Sequence, residues 1–322
     1  MLRILHNTDY DFIRHWRKTV LIIAAFIVPA LVWIGVQGFN YSIEFTGGTL
    51  MQLEFKQAPD IGRIRSVLGD AGVGDVEIQT FGRPNEIVLR AQDESHVELQ
   101  AGGAEAVVNR VTGALEADLG EGAFTVVRTE AVGPKVGDEL RSKALIALLI
   151  SFGVSLVYLA WRFEWRFGVA ALIATIHDIL ATVAFMRYSN VEVSLFVVGA
   201  ILTVIGYSLN DTIVVFDRVR ENLATASKKP LYEVLNRSVN ETLPRTVLTG
   251  TTTLATLIAL VIFGGEVIRP FALVLIFGIV VGTFSSIFVA SPSLLWIEHR
   301  WPRTAAAARQ TKPLAEPPRR QA

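Results

Sequence analysis

The 322 residues are 51% hydrophobic with a mean hydropathy of +0.44, which excludes an ordinary water-soluble chain and makes the bilayer the leading solvent. Basic and acidic residues balance at 30 each, so no basic excess points to nucleic acid. Cysteine is absent, which removes disulfides, a thiol nucleophile and thiolate metal sites. The five histidines form no His-x-x-x-His or similar pair, so no metal centre is expected.

A bilayer core of ~30 Å takes about 20 mostly apolar residues in helical form. In chain order, six segments meet that length: Thr19–Val36, Ala144–Trp161, Phe167–Met186, Ser194–Phe216, Arg245–Phe263 and Phe271–Ala290. The first follows Arg14, Arg17 and Lys18 as a signal peptide would. It lacks a small-x-small cleavage site before Gln37 and reads as an uncleaved anchor.

Between the first and second spans, residues 50–131 alternate strand and helix signals. Leu50–Phe55 and Val76–Phe81 alternate with period two, and Ile61, Ile64, Val67 and Leu68 between them have helical spacing. Gly82-Arg83-Pro84-Asn85 is a turn by composition and leads into a strand over Glu86–Ala91. A second helix is expected from about His96 to Leu119, weakened early by Gly102-Gly103, and Phe124–Thr129 closes the set. The order βαββαβ is the ferredoxin-like split arrangement. It carries no Ser/His/Asp set and no phosphate-cradling loop, so no catalytic residue is expected.

Positive charge orients the spans. Arg3, Arg14, Arg17 and Lys18 precede the first, Arg162 and Arg166 follow the second, and Arg218, Arg220, Lys228, Lys229 and Arg237 follow the fourth. The C-terminal tail adds Arg300, Arg303, Arg309, Lys312, Arg319 and Arg320, all on the same side, which is then the cytoplasm. Residues 38–140 hold 17 acids against 8 bases. The expected organisation is therefore a cytoplasmic tail (1–18), the first span (19–36), an outside α+β domain (37–140), a five-helix membrane bundle (141–295) and a disordered cytoplasmic tail (296–322). Both termini face the cytoplasm. Within loop 217–244, Leu231, Val234, Leu235, Val239 and Leu243 predict an amphipathic helix lying in the interface.

Ionisable groups inside a span cost at least ~2.5–3.5 kcal/mol at the bilayer centre, so they face a bundle interior. The fourth span carries Tyr207-Ser208-Leu209-Asn210-Asp211-Thr212, and helical spacing places Tyr207, Ser208, Asp211 and Arg218 on one face. The fifth opens with Pro244-Arg245, after which Arg245, Thr249, Thr252 and Thr256 form a polar stripe. His177-Asp178 sits close to the middle of the third, the two expected on different faces. In the sixth, Gly278, Gly282 and Ser286 form a small-residue ridge for close packing, within the chain or against a partner. These residues alone leave two readings of Asp211 open: a static ion pair with Arg245 or Arg218, or a carboxylate that binds and releases a proton. For His177-Asp178 and the threonines the plain reading is interhelix hydrogen bonding.

Several stretches resemble the SecF family of the bacterial Sec translocon, over nearly the whole chain. Ile43-Glu44-Phe45-Thr46-Gly47-Gly48-Thr49 is similar to the family's Gly-Ile-Asp-Phe-x-Gly-Gly signature, departing from it at Ser42 and Glu44. Val132-Gly133-Pro134, the run Gly206 to Arg218, Asn236-Arg237-Ser238 and Thr242-Leu243-Pro244-Arg245-Thr246 complete the pattern. The resemblance implies an RND-type half bundle of six spans that pairs with a SecD-like subunit, associates with SecYEG (with YajC and YidC as further candidates) and draws preproteins across the bacterial inner membrane. It implies no cofactor beyond the proton as coupling ion, consistent with the lack of a Walker-type loop. Carried over by motif, Asp211 becomes the proton-accepting carboxylate and Arg245 its modulating cation, with Asn210, Ser208, Tyr207, Thr249 and Asp178 along the path. Phe45, Gly47, Gly48, Gly133 and Pro134 carry the signature of the outside domain. The rival readings are an RND-type solute or lipid exporter and a structural scaffold of the translocon.

Overall fold

The structure, a computed structural model, describes residues 8–73, 76–91, 103–225 and 229–301. These fall into two compact units, one of residues 41–147 with 193–195, the other of the remainder.

The smaller unit opens with the single helical turn α2 (Ile43–Thr46), which follows the first long helix α1 (Trp16–Gln37). Then come β1 (Gly48–Phe55), α3 (Ile61–Asp70), β2 (Val76–Phe81), β3 (Arg83–Ala91), α4 (Gly103–Leu119) and β4 (Phe124–Val132). The strands form one antiparallel sheet in the order β2-β3-β1-β4, which is the split βαβ topology. Alternate residues of β1 are buried, so Met51, Leu53 and Phe55 meet Ile64 and Leu68 of α3 and Val111 and Leu115 of α4 in the core. Asp60 starts α3 by accepting the amides of Gly62 at 2.8 Å and Arg63 at 3.3 Å.

Two expectations change in this unit. The turn is tight at Gly82, with Phe81 already paired to Arg83, so Arg83-Pro84-Asn85 belong to β3 and not to the loop. Pro84 is tolerated there because the pairing between β2 and β3 is irregular at that end, and Asn85 donates to the Phe55 carbonyl at 2.9 Å. Strand β4 runs to Val132, three residues beyond the expected end. The early part of the expected second helix, 96–102, lies outside the described residues.

The larger unit is helical. With α1 it contains most of α5 (Pro134–Arg162), then α6 (Trp165–Tyr188), α7 (Leu195–Thr225), α8 (Leu231–Phe263) and α9 (Gly265–Ser285). A π-helical turn (Ser286–Ala290) and α10 (Ser291–Arg300) continue α9 without a break. Among the described residues, six helices are long and apolar enough to cross a membrane, counting Gly265–Arg300 as one. Between 50% and 56% of the most apolar window is buried in α6, α7 and α9–α10, against 6–17% in α5, α1 and α8. The first three therefore form the centre of the bundle, and the others present apolar faces outward.

Two more boundaries move. The expected amphipathic helix is not a separate interfacial element, because α8 runs unbroken from Leu231 through Pro244. Its apolar residues Val234, Leu235, Val239 and Leu243 are buried in protein, and that packing outweighs the ladder bond lost at proline. Residues 296–300, expected in the tail, complete α10, with Leu294, Leu295 and Ile297 buried.

A cluster of buried carboxylates in the helical core

Close backbone approach prepares the site. A Cβ on Gly278 would lie 2.2 Å from Val204 Cγ2, and one on Gly282 would lie 3.0 Å from Ser208 Cβ. The small-residue ridge thus packs against α7 of the same chain. That contact brings the polar residues of α6, α7 and α9 within hydrogen-bond reach.

Asp178 of α6 is almost fully buried. Its Oδ2 accepts from the Ser208 hydroxyl of α7 and from Ser285 of α9 at 2.7 Å, and its Oδ1 lies 2.8 Å from His177 Nδ1. Neighbouring His177 and Asp178 therefore bond to one another and do not part to different faces. Ser208, expected beside Asp211, turns to Asp178. One carboxylate ties three helices, the arrangement that makes burial of a charge or polar group affordable.

Asp211, the seventeenth of 31 residues in α7, is likewise buried. Its Oδ1 accepts from Thr246 of α8 at 2.8 Å, and its Oδ2 from Ser286 of the π turn at 3.3 Å. Neither expected ion pair forms among the described residues. Arg218 is engaged by Glu241 at 2.6 Å and Glu221 at 2.7 Å. Arg245, the residue before Thr246, is exposed on α8, as are Asn210 and Thr249 on their helices. Thr249 donates to the Arg245 carbonyl at 2.9 Å, and Thr252 and Thr256 likewise bond to their own helix. The threonine stripe is on the open side of α8 and not between helices of this chain. Tyr207 points toward α8, with its hydroxyl 3.8 Å from where a Gly250 Cβ would be.

The two hydroxyl partners on the last helix escape sequence reasoning. Ser286 reads as a small packing residue and Ser285 is not singled out, and only the crossing of α9 over α6 and α7 reveals both as donors. A second polar network joins α7 and α8 nearer their linker: Asn222 donates to Ser238 at 2.9 Å and Glu241 at 2.8 Å, and Arg237 reaches Glu241 at 2.7 Å. Beside it, the segment before α1 is held by its backbone. Asn240 exchanges two 2.9 Å bonds with the amide and carbonyl of Tyr10, and Asn236 accepts the Phe12 amide at 3.0 Å. Tyr232 donates to Asp11. Among the described residues no three His, Asp or Glu side chains gather as a cation site.

In the smaller unit, the signature residues meet as one joint. Gly47 and Gly48 have φ of +73° and +118°, conformations that L side chains resist. A Cβ on Gly47 would stand 3.0 Å from Pro134 Cα, and one on Gly137 would stand 3.1 Å from Gly47 N. Phe45 is buried beside them, and Gly133 begins the turn into α5 by accepting the Gly137 amide at 3.0 Å. The departures from the family pattern fit this joint. Ser42 has φ −72°, so no glycine is required, and Glu44 accepts the Leu195 amide at 2.6 Å, at the start of α7.

Fold and site together define a polytopic helical membrane protein with a ferredoxin-like domain between its first two long helices and two hydrogen-bonded carboxylates in its helical core. A family model for the C-terminal part of the protein export membrane proteins SecD and SecF matches residues 112–300, and a model for the SecD/SecF GG motif matches residues 32–59. The chain is 56% identical over 310 residues to a protein translocase subunit SecF from Gemmatimonas aurantiaca, covering 96% of this chain and 93% of that one. It is 45% identical to the corresponding subunit of Desulfurispirillum indicum, covering 94% and 96%. The crystal structure of SecDF from Thermus thermophilus, described as a translocon-associated membrane protein, superposes with a TM-score of 0.81 at 35% identity. That match covers 93% of this chain and 40% of the solved one. The chain belongs to the SecF branch of the SecD/SecF family.

Proposed function

We propose that the protein is the SecF-type subunit of a Sec translocase accessory complex, which uses the proton gradient across the bacterial inner membrane to promote preprotein movement and release on the periplasmic side. The observation that carries this reading is Asp211. It is a carboxyl buried at mid-helix and held, among the described residues, by two hydroxyls, with Arg245 one residue from its Thr246 partner and not paired to it. A static structural charge is normally matched by a bonded cation, whereas a site that gains and loses a proton needs neutral partners that serve both states. One proton crossing is worth ~2.3 kcal/mol per 100 mV, enough to bias a helix bundle between two arrangements.

The 40% share of the solved SecDF chain that this one spans supports a SecD-like partner, which would cover the open faces of α1, α5 and α8. SecYEG, YajC, YidC and the preprotein itself are the further partners of this reading. The charge pattern supports both termini on the cytoplasmic side and the α+β unit in the periplasm. No catalytic step or cofactor beyond the proton enters the cycle.

The test is Asp211→Asn in vesicles that import preprotein with and without a proton gradient. Export stimulated by the gradient is expected to be lost, while assembly with the partner is retained. Full gradient stimulation in the variant would overturn the reading.

A further inference from the structure

Where α9 passes into the π turn, two consecutive serines face two different buried carboxylates, and each has more acceptors than protons. A hydroxyl has one proton to donate. Ser285 Oγ lies 2.7 Å from Asp178 Oδ2 and 3.1 Å from the Gly282 carbonyl. Ser286 Oγ lies 2.8 Å from the Thr283 carbonyl and 3.3 Å from Asp211 Oδ2. One proton serves one acceptor well. Both contacts become full hydrogen bonds only when the carboxyl carries a proton on Oδ2 and gives it to the serine oxygen, which frees the hydroxyl proton for the backbone. When the carboxyl is ionised, the hydroxyl proton turns to it and the backbone carbonyl loses that bond. The distances place the two serines in opposite settings, Ser285 nearer its carboxylate and Ser286 nearer its own helix.

We propose that Ser285 and Ser286 are positioning residues that convert proton occupancy of Asp178 and Asp211 into a change of helix geometry at the π turn. The proposal rests on the proton-coupled reading of Asp211 and extends it to a second carboxyl and to the step that follows protonation. Serine bonding back to a carbonyl bends a helix, so moving that bond on and off the Gly282 and Thr283 carbonyls alters the last regular turn before the π segment. The ladder there has already widened to the π pattern, and the Ser291 hydroxyl also donates to the Ser286 carbonyl at 3.1 Å. The close contacts at Gly278 and Gly282 fix α9 upstream, which confines any change to the turn itself.

The charged and titratable neighbours are few. His177 faces Asp178 from its own helix, while α7 and α9 present only the hydroxyls of Ser208 and Ser285. Asp211 meets Thr246 and Ser286, with Arg245 on the adjoining position of α8. Arg166 and Glu298 pair with one another at the ends of α6 and α10, 3.7 Å apart.

Infrared difference spectra of the full-length protein in lipid nanodiscs, taken through a pH titration, test this. The two carboxyl bands are assigned by their disappearance in Asp178→Asn and Asp211→Asn. In the native protein an amide change is expected to titrate with each carboxyl band. S286A is expected to keep the Asp211 band and lose the amide change attached to it, and S285A to do the same for Asp178. S291A removes a hydroxyl from the same turn without touching either carboxylate and is expected to retain both changes. Amide changes that persist in S285A and S286A, or vanish equally in S291A, overturn the proposal. If an alanine variant fails to fold, absence of any amide change titrating with the native carboxyl bands overturns it as well. Gradient-driven export that is lost in Asp211→Asn while S286A retains its amide change leaves the export function standing and removes the serine role alone.

Discussion

At Asp178, the side chains of Ser208, Ser285 and the neighbouring His177 converge on one buried carboxyl, and of these Ser285 also reaches the Gly282 carbonyl at 3.1 Å. Truncating the acceptor therefore removes this partner from Ser208 and His177 at once, while Ser285 can turn to its own helix. Asp178→Ala is expected to destabilise the bundle by about 3 kcal/mol or more, the summed desolvation of unsatisfied donors. Asp178→Asn keeps an acceptor oxygen and is expected to lose less. Thermal unfolding of the full-length variants in nanodiscs checks the order, and equal losses would show that the carboxyl shape and not its bonding matters. Asp211 is held more loosely, by two hydroxyls of which one lies at 3.3 Å. Its substitution is expected to be mild for stability and severe for gradient-driven export.

At the scale of helices, the α7–α9 contact has no slack. Gly278→Ala places a methyl 2.2 Å from Val204 Cγ2, and overpacking of this kind costs about 1–3 kcal/mol. Val204→Ala in the same chain removes the obstructing atoms, so the double variant is expected to recover part of the loss in unfolding temperature, as coupled neighbours do. Additive losses would show that the glycine serves something other than this contact. The sequence makes Asp211, Asp178 and the glycine ridge legible, because charges and repeated small residues stand out against an apolar background. It does not disclose partner choice. Ser208 lies on the same face as Asp211 yet bonds across to Asp178, and that depends on how α6 and α7 cross, which no local pattern encodes. Helix α8 hid its true start for the opposite reason: Pro244 is a strong local stop signal, and tertiary packing on both sides of it overrides the signal.

For the whole molecule, the spans, the strand order and the charge asymmetry all follow from composition and period, the features least dependent on tertiary detail. The absence of cysteine turns orientation into a clean measurement. Single cysteines introduced at Glu121, in the turn before β4, and at Lys229, in the α7–α8 linker, can be labelled against no background. In intact cells, an impermeant maleimide is expected to modify the first and spare the second until the membrane is opened. The reverse pattern would invert the orientation and, with it, the direction in which the proposed cycle works.

The grip of Asn236 and Asn240 on Tyr10 and Phe12 bears on engineering. Both asparagines engage peptide groups, so these bonds are written in α8 and do not use the exposed Tyr10 side chain, whereas Phe12 also packs its ring on Phe288 with centroids 5.8 Å apart. A fluorophore or unnatural residue at position 10 is expected to leave these backbone bonds in place. Changing both asparagines to leucine is expected to loosen the segment with its own sequence intact, which makes positions 236 and 240 of α8 a handle on how firmly the chain before α1 is held.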